Sequence, residues 1–407
     1  MEYDVDAVRM QFPALAEGAA HFDGPGGSQV PEPVGRAVAD TLTAAVSNRG
    51  RRTPAERRAD DIVVGARQAM ADLLGADPAG VVFGRSMTQL TYDFARMLAK
   101  TWQPGDEVVV TRLDHDANIR PWVQAAEAVG ARVRWVDFDR DTGALGAEDV
   151  AAVLSDRTRL VAVTAASNLL GTMPPIAEIA RHAHDVGAAV YVDGVHRTPH
   201  AAVDVGVLGA DFFACSPYKF LGPHCGVVAG RPDLLEGLQP DKLLPSSSVV
   251  PERFELGTLP YELLAGTTAA VDFLAGLAPS GGSRRERLGV ALGGLQRHEA
   301  ALCRQIERRL SDLDGVTLYG HARERTPTVL FSLAGLESTA VSDALAERGV
   351  NAPAGSFYAV EASRWIGLGD AGAVRVGVAP YTDAADVERL LAGIDAILDS
   401  SATPRGI

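Results

Sequence analysis

From about residue 57 to residue 230 the chain repeats one pattern: a short, mainly apolar, β-rich run, then a stretch with helical period. The runs are VVF (81–83), EVVVTR (107–112), ARVRWVDF (131–138), RLVAVTAAS (159–167), AAVYVDG (188–194), FFACS (212–216) and GVVAG (226–230). Between them lie segments such as 88–101, where Leu90, Phe94, Met97 and Leu98 share a helical face. Mainly apolar strands, separated by helices, indicate a mostly parallel sheet covered on both faces. The expected fold is α/β, with a large domain built on a seven-stranded sheet. Such sheets bind ligands at the carboxyl ends of their strands, so the polar residues just after each run deserve scrutiny.

Downstream the pattern changes. YELLAGTTAAVDFLAGL (261–277) reads as a helix, APSGGS (278–283) breaks it, and a long helix follows from about 284 to 312. Strand patterns at 316–320, 328–333 and 373–379, with helices near 337–348 and 383–399, predict a smaller α+β domain. The expected division is an N-terminal segment over 1–20 packing on the small domain, a large domain over 21–265 and a small domain over 266–407.

Composition narrows the function. Lys plus Arg is 38 and Asp plus Glu is 52, a net charge of −14, which repels nucleic-acid backbones. No run has the length of a membrane span, and the first twenty residues carry early acids but no apolar signal core. Three cysteines with no CxxC pair argue against a disulfide framework or thiolate zinc site. A cytoplasmic location is expected, with neither a nucleic-acid nor a membrane partner.

Four strand ends carry polar residues that make sense together. GRSMTQL (84–90) places Ser86, Met87 and Thr88 where a helix begins, either a plain N-cap or an anion cradle. LDHDANIRPW (113–122) puts His115 just past a strand. DGVHRTPH (193–200) ends a strand in Asp193, whose carboxylate needs a cationic or N–H partner if half-buried. In DFFACSPYKFLGPHCG (211–226) Lys219 follows a central strand, with Ser216 and Tyr218 beside it, where few acids would hold its pKa up. Each has an ordinary explanation alone. Jointly they match pyridoxal 5'-phosphate, which needs a lysine for its aldehyde, a carboxylate for its pyridine nitrogen, a flat group on its ring and an anion cradle for its phosphate.

The chain resembles the class V aminotransferase family of fold-type I pyridoxal-phosphate enzymes, most closely its cysteine-desulfurase-like branch. The resemblance runs through FDGPGGSQVPEPV (22–34), GRSMT (84–88), LDHDANIRPW (113–122), SNLLGT (167–172), VDGVHRTPH (192–200), DFFACSPYKFLGPHCG (211–226), FELGT (254–258) and AVRVGVAPYT (373–382), nearly the whole chain. It implies that Lys219 bears the cofactor and moves protons at the substrate α-carbon, that Asp193 pairs with the pyridine nitrogen and that His115 stacks on the ring. Asn168 and His196 are implied near the phenolic oxygen, and Met87, Thr88, Ser216 and Tyr218 at the phosphate. Gly257 and Thr258 match a motif that reaches the neighbouring subunit's phosphate, which implies a homodimer with active sites at the interface. Arg375 matches the clamp on the substrate α-carboxylate, a task suited to a guanidinium.

One departure matters. In cysteine desulfurases a mobile loop carries a nucleophilic cysteine, and the matching segment here is GVNAPAGSFYAVEA (349–362), with Tyr358 at that position and Pro353 where an arginine is common. Cys303 falls in the long helix, Cys215 on a strand, and only Cys225 lies near the site. The expectation is an enzyme acting on a small amino acid through an external aldimine and α-proton abstraction by Lys219, foremost a C–S (or C–Se) β-lyase that makes no protein persulfide. Tyr358 and Ser356 are expected to line the substrate pocket or donate protons. Racemisation or epimerisation, transamination, decarboxylation and carbon–carbon bond formation remain open. So do two readings of another class: a metal-dependent hydrolase using LDHDAN and DGVHRTPH, which leaves Lys219 unexplained, and a cofactor-binding protein without catalysis.

Overall fold

The computed structural model describes residues 3–402; residues 1–2 of the expected N-terminal segment and 403–407 of the expected small domain lie outside it. All seven runs named above are strands of one sheet, in the order 81–84, 226–230, 212–215, 189–193, 158–164, 107–111, 132–136. Every neighbouring pair is parallel except those made by Gly226–Gly230, which runs against both of its partners.

Side-chain alternation explains why these strands are mainly apolar. Val82, Val108, Val110, Leu160, Ala162, Tyr191, Phe212, Ala214 and Val228 belong to one buried cluster. Their neighbours Val81, Phe83, Val109, Val161, Val163, Val190, Val192, Phe213 and Val227 belong to another. Successive residues point to opposite faces, and both faces are covered, so each position must be apolar. The exceptions lie at strand ends and on the edge: Glu107 and Asp193 are buried at strand ends, Arg159 is exposed near the start of its strand, and the edge strand Arg132–Val136 exposes Arg132 and Arg134. Charge on an edge discourages pairing with another chain.

A four-stranded antiparallel sheet forms in the C-terminal third, in the order 354–355, 373–377, 328–333, 316–319. Its Val329, Phe331, Val374 and Val376 bury against Ile306 and Leu310 of the Arg284–Ser311 helix and Leu390 and Ile394 of the last helix. The N-terminal residues reach the same region. The Tyr3 hydroxyl donates to the Pro380 carbonyl at 2.8 Å, Arg9 pairs with Asp383 at 3.0 Å, and Ala20–His21 lies parallel to Val350–Asn351. Among the described residues, no helix is long and apolar enough to cross a membrane.

Register sets the stage for chemistry. Thr164 pairs with Asp193, and Asp193 with Ala214, so three adjacent strands end at one level. Gly84 pairs with Gly226 at the same edge. A Cβ on Gly226 would lie 2.2 Å from the Ser86 carbonyl carbon and 2.4 Å from the Met87 nitrogen, so only glycine lets this strand pass beneath the helix start.

Candidate active site

A cavity of about 640 Å³ opens at these carboxyl ends and is lined from both sheets and from the 25–26 turn. Ser86 caps the Met87–Ala99 helix, its Oγ accepting from the Gln89 amide at 3.1 Å. Helix geometry leaves the Met87 and Thr88 amides without a carbonyl acceptor, and both residues line the cavity. Ser216 and Tyr218 lie across from them.

Lys219 closes a 3₁₀ turn after the Phe212–Cys215 strand. Its Nζ donates to the Pro25 carbonyl. Burial pushes its pKa down to about 7, helped by the charge of Arg375 and opposed by Asp193. Asp193 is 4% exposed; its Oδ1 accepts from the Val195 amide at 2.9 Å. Burial raises its pKa to about 6, while that amide and Lys219 pull the other way. A cation brought against this carboxylate would restore its charge.

His115 sits on a braced turn. The Asp114 side chain, fully buried, accepts from the Thr111 hydroxyl and from Asn118 Nδ2, and Asn118 Oδ1 accepts from Trp122 Nε1 at 2.9 Å. His115 Nδ1 accepts from the Ala117 amide at 3.0 Å, so the neutral ring carries its proton on Nε2. Burial, then the charges of Lys219 and Arg375, lower its pKa to about 4 and keep it neutral. Burial likewise holds His196 neutral, and its Nε2 lies 3.0 Å from Thr326 Oγ1 and 2.9 Å from Thr328 Oγ1.

The wall opposite the large sheet comes from the C-terminal third. Arg375 is 2% exposed on the Ala373–Gly377 strand, and its Nη1 donates to the Asn168 carbonyl at 2.8 Å. Burial lowers its pKa to about 9, which leaves it charged at neutral pH. Phe357 and Tyr358 both adopt left-handed backbone, at φ 52° and 60°, a strained state for aromatic residues. Their carbonyls accept from Asn168 Nδ2 at 2.8 Å and from the Asp116 amide at 2.8 Å. Tyr358 stacks on His115 with ring centroids 5.5 Å apart. Beyond this turn, Glu361 pairs with both Arg112 and Arg120, and Trp365 Nε1 donates to the Phe138 carbonyl at 2.8 Å. The turn is therefore fastened to the large sheet on both sides.

The structure thus brings together Ser86, Met87, Thr88, His115, Asn168, Asp193, His196, Ser216, Tyr218, Lys219, Tyr358 and Arg375 in one cavity. Ser356 stands just outside the lining, half-buried. Gly257, at φ 85°, and Thr258 are exposed and away from this cavity. Tyr92, Arg120 and Phe357 line the cavity without having been singled out in the sequence. Phe357 is the sequence neighbour of Tyr358, but only the fold brings its ring onto Arg375. No cysteine lines the cavity, and all three are buried and unpaired. Burial raises the Cys225 and Cys303 thiols to about 11 and also holds the Cys215 thiol well above its usual range, so none is poised as a thiolate. Among the described residues, no group of three His, Cys, Asp or Glu side chains could hold a metal ion.

Two buried atoms of the wall, Asn168 Oδ1 and Arg375 Nε, have no hydrogen-bond partner. Orphaned groups of this kind at a cavity point to a ligand. Together with the Lys219 amine, the Asp193 carboxylate and the free helix N-terminus, they fit pyridoxal phosphate and an amino-acid carboxylate.

This arrangement defines an α/β enzyme fold of the pyridoxal-phosphate type, and comparison with known proteins agrees. The Aminotransferase class-V profile matches residues 20–390, and the chain belongs to that family. It is 35% identical over 398 residues to an uncharacterized protein of Mycobacterium tuberculosis, covering 96% of this chain and 98% of that one. It is 31% identical to an aminotransferase-like protein of Gibberella zeae, covering 97% and 99% of the two chains. The structure of a cysteine desulfurase from Thermococcus onnurineus superimposes with a TM-score of 0.89 at 25% identity, over 98% and 99% of the two chains.

Proposed function

We propose that this chain is a pyridoxal-phosphate-dependent β-lyase that cleaves a C–S (or C–Se) bond of a cysteine-type amino acid without forming a protein persulfide. The observation that carries this reading is the pairing of a Lys219 amine lowered to about pKa 7 with a cavity that contains no thiol.

Bound in this cavity, pyridoxal phosphate supplies an electron sink for a carbanion at the substrate α-carbon. The chain's own residues do the rest. The Met87 and Thr88 amides, Ser216 and Tyr218 hold the phosphate. Asp193 holds the pyridine nitrogen, and His115 packs on the ring as a neutral imidazole. Asn168 and His196 would serve the phenolic oxygen. Arg375 orients the substrate carboxylate through its free edge, the part of the guanidinium that Phe357 does not cover. Lys219, largely able to shed its proton at neutral pH, takes the proton from the α-carbon. The fastened Phe357–Tyr358 turn forms one wall of the cavity, and the partly solvent-facing Tyr358 is the proposed proton donor to a leaving sulfur. Gly257 and Thr258 reach the phosphate of a second subunit in a homodimer. Leu243, Leu244, Val249 and Leu256 are exposed apolar residues around that motif and favour such an interface.

Product analysis tests the reaction. β-Elimination of cysteine with water gives pyruvate, ammonia and sulfide, whereas desulfuration gives alanine and leaves the sulfur on a thiol. Pyruvate and ammonia in equal amounts are expected. Alanine with a persulfide on any of the three cysteines would falsify the proposal.

A further inference from the structure

A second cavity, of about 280 Å³, lies behind the active one, between the 200–201 turn, the Arg284–Ser311 helix and the 323–327 segment. Its lining includes His200, Cys303, Arg304, Glu307, Arg323 and Arg325. The charges do not balance: three guanidiniums face one carboxylate. Arg325 is committed, pairing with Glu307 and donating to the Gly320 carbonyl at 3.0 Å. Arg304 and Arg323 have no acidic partner among the described residues. His200 is 6% exposed, and its Nδ1 is 2.9 Å from Oε2 of the wholly buried Glu299, which fixes the ring in the wall.

In a chain of net charge −14, two unpaired arginines at one concavity run against the overall field. Both side chains are exposed to solvent, and guanidiniums bind oxyanions through paired N–H groups. The volume lies just below the range of typical ligand pockets and admits a small molecule. We propose that this cavity is a binding site for a small oxyanion, carboxylate or phosphate, held by Arg304 and Arg323. The site is separate from the catalytic one yet adjacent to it: Thr326 lines this cavity, and its Oγ1 lies 3.0 Å from His196 Nε2 of the active cavity.

Calorimetric titration of the holoenzyme at constant ionic strength tests the proposal, with inorganic phosphate and malonate as separate probes. In the holoenzyme the catalytic phosphate cradle is already filled, and a saturating unreactive amino acid added to the cell occupies the Arg375 carboxylate site, so neither competes. Saturable binding of at least one probe is expected, one per chain, and phosphate without malonate, or the reverse, identifies the ligand class. R304A/R323A should weaken that binding by about tenfold or more, the usual consequence of removing charged hydrogen bonds, while catalysis and thermal midpoint stay unchanged. The R304K/R323K variant guards against misfolding and should keep part of the affinity. Cys303 lines the cavity, so the bound anion should also slow its alkylation, located by mass mapping. Absence of saturable binding by both probes overturns the site, as does binding that survives in R304A/R323A.

Discussion

The Arg375 guanidinium lies 3.7 Å from the centroid of the Phe357 ring, face to face with it, while its Nη1 is held by the Asn168 carbonyl. One face is covered, one nitrogen is occupied, and Nε is left without a partner. The charge is thereby oriented before any ligand arrives. Cation–π contacts contribute about 0.5–2 kcal/mol depending on desolvation. F357A should therefore raise KM for the amino acid by roughly 2- to 30-fold, with a smaller change in kcat. Steady-state kinetics with an unchanged KM would remove Phe357 from the carboxylate site.

Lys219 is the second target. K219A should lose the visible absorbance of lysine-bound cofactor, and borohydride should fix the cofactor to the wild-type chain at Lys219 alone. Loss of a proton-transfer residue costs on the order of 10²–10⁴ in rate. Borohydride labelling elsewhere, with Lys219 unmodified, contradicts the assignment.

Cofactor capture should follow the protonation of the same amine. Its pKa falls from 10.5 in the unfolded chain to about 7 in the folded cofactor-free protein. Between those values the unfolded chain binds the extra proton, so this group makes stability rise with pH across that window and fall as pH drops towards 7. The neutral amine attacks the aldehyde, so the rate of pyridoxal-phosphate uptake should climb through about pH 7. His115, lowered from 6.5 to about 4, adds a loss of stability as pH falls from 6.5 to 4. H115N should flatten that part of the denaturation profile.

Thiol chemistry can be tested directly. Cys225 Sγ lies 3.5 Å from Thr267 Oγ1, in a packed contact and outside the cavity. C225A should keep kcat and lose only modest stability. A collapse of turnover in C225A, with the fold intact by circular dichroism, would show that sulfur passes through the protein.

The fastening of the 355–366 segment makes a further prediction. Glu361 joins Arg112 at 2.9 Å and Arg120 by a still shorter contact, and Arg112 and Arg140 both pack on the Trp365 ring. E361A leaves Arg112 with Asp137 and Arg120 with Asp116 as their remaining carboxylates, so the loss should be about 1 kcal/mol, felt locally. Amide hydrogen exchange should speed up across 355–366 and stay unchanged in the large sheet. Equal protection in both proteins would mean that the turn is held by other contacts.

Much of this molecule was legible beforehand because strand burial leaves a strong signature. Seven mainly apolar runs became one sheet, and the polar residues after them met at its edge, since parallel strands carry their carboxyl ends to one side. The edge strand Arg132–Val136 was readable too, despite its arginines. What could not be read was anything that depends on two distant elements meeting. Phe357 on Arg375, Tyr358 on His115 and Asp114 beneath the His115 turn arise from tertiary packing without local pattern. The left-handed backbone at Phe357 and Tyr358 runs against residue preference, so propensity argues for the wrong conformation there. Gly257 and Thr258 lie outside the cavity of one chain, which is what the proposed role toward a second copy requires.

The turn at 357–358 also sets a limit on engineering. A cysteine installed at Tyr358 would place sulfur near the reacting atoms, yet the backbone that bears it is tied to Asp116 and Asn168 and strained into its bend. Sulfur relay to another protein needs an arm that swings outward to hand over its cargo. This segment is built as masonry, and a single-residue graft would give a thiol that can receive sulfur but has no way to deliver it.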